Sequence, residues 1–208
     1  MKRSAIVLAS VFGFGLAGYA LVQGGRVDGD ELARLVEILR IEEGDVIADV
    51  GAGDGRWALA LAPAVGDTGR VYATEVDPND LERIRSRVER DDASNVSVVE
   101  GSQDDTGLPD ACCDAILLRR VYHHFHNPRV MQDELRNALR GDGRLLIIDF
   151  DTRRRWSRPE GVPESRGGHG ISKEMLVTEM ERAGFALVDE AKWANGDYAL
   201  VFEVGVID

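Results

Sequence analysis

The sequence predicts an α/β fold: a doubly wound, mostly parallel sheet of seven strands with helices on both faces and a C-terminal antiparallel hairpin. Two patterns lead to this fold class. From Asp30 onward, short apolar runs alternate with amphipathic runs, which is typical of a parallel sheet covered by helices. The last two apolar runs are separated only by a short turn at Asn195 and Gly196, which predicts a hairpin.

Each element follows from its own run of residues. The apolar runs predict strands at 46–50, 70–76, 96–99, 114–118, 144–150, 186–193 and 198–204. The amphipathic runs between them predict helices at 31–40, 56–64, 79–90, 129–140 and 172–183. The triplet Gly141-Asp142-Gly143 predicts a helix end and a turn into the next strand.

The first 25 residues differ from the rest of the chain. Residues 4–23 carry no charge and follow Lys2 and Arg3, and as a helix they would be about 30 Å long, enough to cross a bilayer. This pattern predicts a signal peptide or an N-terminal membrane anchor over residues 1–25. The protein is therefore expected to be membrane-anchored or exported, with the side of the membrane left open.

Composition limits the partners of the remaining domain, residues 26–208. The net charge of −12 opposes attraction to a phosphate backbone, so no nucleic-acid partner is expected. Cys112 and Cys113 are adjacent, which is poor placement for an unstrained disulfide, and they lack a metal-site spacing such as C-x-x-C. The pair is predicted to enter a strand, without a disulfide framework. A zinc site that combines it with His123, His124 and His126 is disfavoured because the length of that strand would separate the two groups, so no metal is expected.

A glycine-rich loop follows the first predicted strand, with the sequence DVGAGDGRW. Gly51, Gly53 and Gly55 alternate where a strand becomes a helix, and a backbone without Cβ atoms lets a small molecule approach closely. The spacing GxGxG differs from the dinucleotide pattern GxGxxG. Glu75 ends the second strand, a position from which a carboxylate accepts hydrogen bonds from ribose hydroxyls. Together these features predict a nucleoside ligand.

The motifs DVGAGDG and ATEVDP resemble the first two motifs of the class I S-adenosylmethionine-dependent methyltransferases. The resemblance continues in order through NVSVVEGSQDDTGLPDACCDAILL, VYHHFHNP and LRGDGRLLIIDF, covering roughly residues 31–151. It implies a Rossmann-like methyltransferase domain over residues 26–208, S-adenosylmethionine as cofactor, and transfer of a methyl group to an acceptor that the resemblance does not identify. We expect a small-molecule acceptor, or a lipid-like one if the hydrophobic start and the basic run 153–158 act together.

The resemblance also implies roles for individual residues. Asp49, Gly51 and Gly53 would surround the methionine part of the cofactor, and Glu75 would hold the ribose. Many relatives have an aspartate after the glycine that ends the third strand, where this chain has Ser102. The adenine contact is left open among four candidates: the hydroxyl of Ser102, the backbone of Gln103, and the carboxylates of Asp104 and Asp105.

The catalytic candidates lie on loops at the carboxyl edge of the sheet. The segment RRVYHHFHNPR follows the fourth strand and would lie beside the methyl group, and it offers His123, His124 and, less favourably, His126 as a proton acceptor. Asp149 would orient substrate or a histidine, or cap the loop after its strand. His169 lies in a glycine-rich segment that reads either as a lid or as a surface loop.

Two features leave the function open. The basic run from Arg153 to Arg158, with Trp156, would attract an anionic substrate or lipid head groups, or would be a solvated loop. An inactive cofactor-binding module of the same fold, anchored or exported, is the alternative to an enzyme. A nicotinamide oxidoreductase is opposed by the GxGxG spacing and by the terminal hairpin. No residue specifies the nucleophilic atom of the acceptor or the oligomeric state.

Overall fold

The computed structural model describes residues 27–153 and 155–205, which form one seven-stranded sheet flanked by helices. The strands are β1 (Val46–Val50), β2 (Arg70–Glu75), β3 (Val96–Glu100), β4 (Cys113–Arg119), β5 (Leu139–Asp149), β6 (Phe185–Lys192) and β7 (Tyr198–Val204). The helices are α1 (Gly29–Leu39), α2 (Arg56–Val65), α3 (Pro78–Arg90), α4 (Pro128–Ala138) and α5 (Lys173–Arg182).

The sheet has the strand order β3-β2-β1-β4-β5-β7-β6. Strands β1 to β5 pair in parallel, whereas β7 pairs antiparallel with both β5 and β6. The predicted fold class, including the C-terminal hairpin, is confirmed. The chain leaves β1 toward β2 on one side and returns to β4 on the other, so loops diverge at the carboxyl ends of β1 and β4, where such sheets bind ligands.

Successive side chains of each strand point to opposite faces of the sheet, so the core is divided into two parts, one on each face. In β1, Ile47 packs into the core beneath α1, α2 and α3, while Ala48 packs into the core beneath α4 and α5. Both faces of the central strands are buried, which explains why β1 and β4 read as continuous apolar runs.

The junction of α4 and β5 differs from the prediction. Helix α4 ends at Ala138, two residues early, and β5 begins at once with Leu139, which pairs with Cys113. The register then shifts, so that Ala115 pairs with Arg144. The triplet 141–143, predicted to be a turn outside the strand, is the irregular part of β5, because pairing on both sides of it keeps it within the sheet.

The cysteine pair also differs from the prediction. Cys113 begins β4 as expected, but its sulfur is bonded to that of Cys112 in a disulfide between adjacent residues. The bond links no two distant segments of the chain. It therefore constrains only the entry to β4.

The predicted signal or anchor segment, residues 1–25, lies outside the described residues. Among residues 27–153 and 155–205, no helix is both long and apolar enough to cross a bilayer.

Candidate active site

The glycine loop occupies the carboxyl end of β1. Its backbone is fixed to β2, because the amides of Gly51 and Ala52 both donate to the carbonyl oxygen of Thr74, at 3.0 and 2.9 Å. Gly51, Gly53 and Gly55 all have positive φ, at 71°, 56° and 75°. Only glycine adopts this conformation at little cost, so the turn itself requires the three alternate glycines.

The three glycines differ in what surrounds them. A Cβ atom on Gly51 would overlap Val121, and one on Gly55 would lie 2.9 Å from Ile84, whereas one on Gly53 would have no atom within 4 Å. The prediction that all three border a ligand stays a prediction, and the structure adds a packing reason for glycine at two of them. Packing within the protein explains the bare backbone at Gly51 and Gly55, and Gly53 borders open space.

Alanine substitutions separate these two reasons for glycine. Gly51→Ala is expected to lower the free energy of unfolding by about 2–4 kcal/mol, from positive φ and overlap with Val121. Gly53→Ala is expected to cost only about 1 kcal/mol, because its Cβ atom meets nothing. Urea denaturation of both variants measures the difference. Equal losses of stability would show that Gly53 is also held by packing.

Glu75 joins the end of β2 to the glycine loop. Its Oε2 accepts from the amide of Gly53 at 2.8 Å, and its Oε1 accepts from the amide of Val76 at 2.7 Å. The carboxylate is half-buried, so lone pairs remain for a ligand beside Gly53.

Asp49 lies beneath the loop and is buried, with 3% of its surface exposed. Its Oδ2 has no hydrogen-bond partner among the described residues. Burial raises the pKa of Asp49 to about 7, against the opposing effects of the Ala58 amide and the charge of Arg119. A buried carboxyl group with a free oxygen is suited to a cationic ligand.

The segment after β3 places the adenine candidates at the surface. The Ser102 hydroxyl accepts from the amide of Asp104 at 3.3 Å, and the carboxylate of Asp105 accepts from the amide of Gly107 at 2.7 Å. These bonds tie both groups into the local turn. Gln103 and Asp104 are exposed. The turn thus leaves Gln103 and the Asp104 carboxylate as the freer candidates.

A buried histidine–carboxylate pair lies at the ends of β4 and β5. Asp149 Oδ1 is 2.7 Å from Nδ1 of His123, and its Oδ2 accepts from the backbone amide of His123 at 3.2 Å. Both residues are at most 1% exposed. Since Nδ1 faces a carboxylate it carries the proton, and Nε2 keeps the lone pair. The geometry fits both predicted roles of Asp149: it orients a histidine, and it caps the loop after β5 by accepting from the amide of Phe150 at 2.9 Å.

His124 and His169 complete a cluster with His123. The ring centroids of His123 and His124 are 4.2 Å apart, and His169 lies 4.9 and 5.5 Å from them. Desolvation of the His124 ring within the cluster, reinforced by His123 and His169, lowers its pKa to about 4, although the residue as a whole is exposed. His126 lies instead against Gly161, so it does not join the cluster.

Comparison with known proteins identifies the domain. Residues 48–147 match the family model described as a methyltransferase domain. The chain is 30% identical over 122 residues to the uncharacterized methyltransferase YcgJ of Bacillus subtilis (strain 168), covering 59% of this chain and 47% of that protein. It is 35% identical over 119 residues to a protein-L-isoaspartate O-methyltransferase of Methanococcoides burtonii, covering 56% and 54%. The chain spans about half the length of these curated relatives.

A solved structure agrees with these matches. The crystal structure of a SAM-dependent methyltransferase from Aquifex aeolicus has a TM-score of 0.67 at 22% identity, and the match covers 86% of this chain and 100% of that one. Over residues 48–147 the chain is thus similar to the methyltransferase family, and its fold is that of S-adenosylmethionine-dependent methyltransferases. The cofactor of this family is S-adenosylmethionine.

The residues of the methyltransferase domain fit that cofactor. S-adenosylmethionine carries positive charge on its sulfonium and ammonium groups, and the free oxygen of Asp49 is a buried acceptor for such charge. The bare face of Gly53 leaves room beside the Glu75 carboxylate, which suits ribose hydroxyls. Asp49, Gly53 and Glu75 would therefore hold the cofactor, and backbone contact by Gly51 stays a prediction.

The pKa of Asp49 predicts a pH dependence of cofactor binding. The ionised carboxylate attracts the cofactor's positive charge, so affinity for S-adenosylmethionine is expected to rise with pH up to about 7 and then level off. Below that pH the Asp49 carboxylate takes up one proton and loses its charge. The affinity therefore falls by up to about tenfold per pH unit. Calorimetric titrations at pH values on either side of 7 measure it. Asp49→Asn is expected to remove the dependence; an unchanged pH profile in this variant would assign it to another group.

Sequence reasoning missed one cationic residue of the methyltransferase domain. Arg120 forms a bidentate ion pair with Asp197, with N–O distances of 2.6 and 3.0 Å. It lines a cavity of about 360 Å³ with Arg153, Phe150, Trp156 and Asn195. A signal existed in the sequence, since Arg119 and Arg120 directly follow the apolar run AILL at the edge of the sheet where ligands bind. The basic run 153–158 is also visible in the sequence. Because it lies far from Arg120 along the chain, the sequence does not indicate that Arg120 and Arg153 line the same cavity.

Proposed function

We propose that the chain is an S-adenosylmethionine-dependent methyltransferase acting on a small-molecule acceptor. The observation that carries this proposal is the open face of Gly53, whose amide donates to Glu75, together with the unpartnered carboxyl group of the nearby Asp49. The positive φ angles account for glycine at all three positions of the turn. They do not account for the unpartnered, buried carboxyl group of Asp49, which a cationic ligand would explain.

The histidine cluster supports catalysis on the same edge of the sheet. The cofactor, when bound, supplies a methyl group that is electrophilic because it is attached to a sulfonium. The chain's own residues then have to orient an acceptor, exclude water and take its proton if the nucleophile starts protonated. His123, oriented by Asp149, offers a lone pair at Nε2 for that proton.

The cavity supports an acceptor that is flat and acidic or anionic. The Arg153 guanidinium lies 4.9 Å from the ring centroid of Phe150 and 4.5 Å from that of Trp156, and no carboxylate pairs with it among the described residues. Phe150 and Trp156 in turn contact His169, with ring centroids 5.7 and 5.8 Å apart. An aromatic or lipid-like acceptor with a negative charge would satisfy Arg153 and lie next to the histidines.

An anchored or exported location belongs to the same proposal. It is supported by the uncharged residues 4–23 and by the disulfide of Cys112 and Cys113, a bond that persists in oxidising compartments.

Formation of S-adenosylhomocysteine in the presence of an acceptor panel tests the activity. Phenols, thiols and carboxylates are compared with their uncharged analogues, on the wild-type chain and on Arg153→Gln. The proposal expects turnover of anionic acceptors and a lower kcat/KM for them in the variant, by about tenfold or more. Cofactor binding without turnover on any acceptor would favour the inactive module.

A further inference from the structure

The histidine cluster has the composition of a metal site. His123 and His124 follow β4, and His169 precedes α5, yet each offers a ring nitrogen within 4.8 Å of those of the other two. Imidazole nitrogen is the donor that zinc and similar divalent metals prefer beside thiolate.

The free nitrogen of His123 is an independent observation that points to a ligand. Its Nε2 is buried and has no hydrogen-bond partner among the described residues, while Nδ1 is held by Asp149. Histidines that bind metals present their second nitrogen to a carboxylate or a carbonyl in this way. His169 repeats the pattern, because its Nδ1 lies 3.2 Å from the carbonyl oxygen of Ser157.

We propose that His123, His124 and His169 bind one divalent metal ion of the zinc type. Three neutral imidazoles leave a tetrahedral ion one open position, as in catalytic zinc sites. Metal–nitrogen bonds of about 2.0–2.1 Å place tetrahedral ligands roughly 3.3 Å apart, so the rings must approach one another by about 1.5 Å. His124 is exposed and His169 is half-buried, so side-chain rotation at these two residues supplies the movement.

The location suggests what the metal does. Phe150 and Trp156 line the cavity and also contact His169, so an acceptor held there would lie beside the ion. With the metal bound, Nε2 of His123 is a ligand and no longer the proton acceptor. An acceptor oxygen or sulfur bound to the open position would instead lose its proton to solvent more readily and would stay there as the anion. This role rests on the proposed function, whereas metal binding itself does not.

Metal content and a cobalt spectrum test the site. The full chain, without a histidine tag, is dialysed against Zn²⁺ and analysed for bound metal, and the metal-free protein is titrated with Co²⁺. One equivalent of each metal is expected, with the intense visible absorption of four-coordinate Co²⁺. His124→Ala and His169→Ala are each expected to weaken binding by at least about tenfold. His126→Ala, the histidine of the same segment that lies outside the cluster, is the matched control and should bind normally.

The same measurements can also contradict the metal site. Failure to bind either metal, or binding that both cluster variants retain, would overturn the proposal. His123 is left unchanged because its buried pair with Asp149 also supports the fold. Titration of the same preparations with S-adenosylmethionine separates the two proposals: cofactor binding without metal contradicts only the metal site, and metal without cofactor binding contradicts the proposed function.

Discussion

Asp149→Ala is expected to lower the free energy of unfolding by about 3–5 kcal/mol. The substitution would leave three donors at the ends of β4 and β5 without an acceptor: Nδ1 of His123 and the amides of His123 and Phe150. Asp149 is fully buried, so water cannot replace its carboxylate without opening the structure. Urea denaturation followed by circular dichroism measures the loss.

Two further variants distinguish the cost of leaving these donors without an acceptor from the effect of removing a negative charge. Asp149→Asn keeps one oxygen of similar shape and is expected to recover part of the stability. Asp151→Ala, two residues along the chain and exposed, should change stability by less than about 0.5 kcal/mol. A loss below about 1 kcal/mol in Asp149→Ala would mean that the pair with His123 contributes little to the fold.

Glu75→Ala is expected to weaken S-adenosylmethionine binding by about 1–3 kcal/mol, or roughly 5- to 150-fold. The variant removes the acceptor for the ribose hydroxyls and also frees the amide of Gly53 that Glu75 now holds at 2.8 Å. Calorimetric titration of wild type and variant measures the change.

Glu100 provides the matched control for this comparison. It pairs with Glu75 in the register of β3 and β2, ends its strand at the same edge of the sheet and is exposed. Glu100→Ala removes the same charge but should leave affinity within about twofold of wild type. Equal losses in the two variants would point to a general charge effect and not to a ribose contact.

The centre of the sheet was predictable because β1 and β4 are buried on both faces. Apolar runs such as VIADV in β1 leave few alternatives to a strand in a parallel sheet. The start of β5 was not predictable, since Leu139 becomes a strand residue only by pairing with Cys113, far earlier in the chain. Local sequence around the glycine triplet favours a turn, and tertiary pairing overrides it.

Positions in the site were predictable, but contacts were not. The ends of β1, β2, β4 and β5 meet at one edge in any sheet of this order, which placed Asp49, Glu75, His123 and Asp149 correctly at that edge. Which glycine borders open space depends on Val121 and Ile84, residues far along the chain from the loop. The convergence of His169 with His123 likewise depends on a loop whose path no local pattern specifies.

The most direct test of the account is calorimetric titration of the full chain with S-adenosylmethionine, S-adenosylhomocysteine and NAD. The open face of Gly53 beside Glu75 and Asp49 predicts one site that binds both sulfur nucleosides and prefers them to NAD. A folded chain that binds neither sulfur nucleoside would contradict the proposed function, and the glycine loop would then be a structural turn alone.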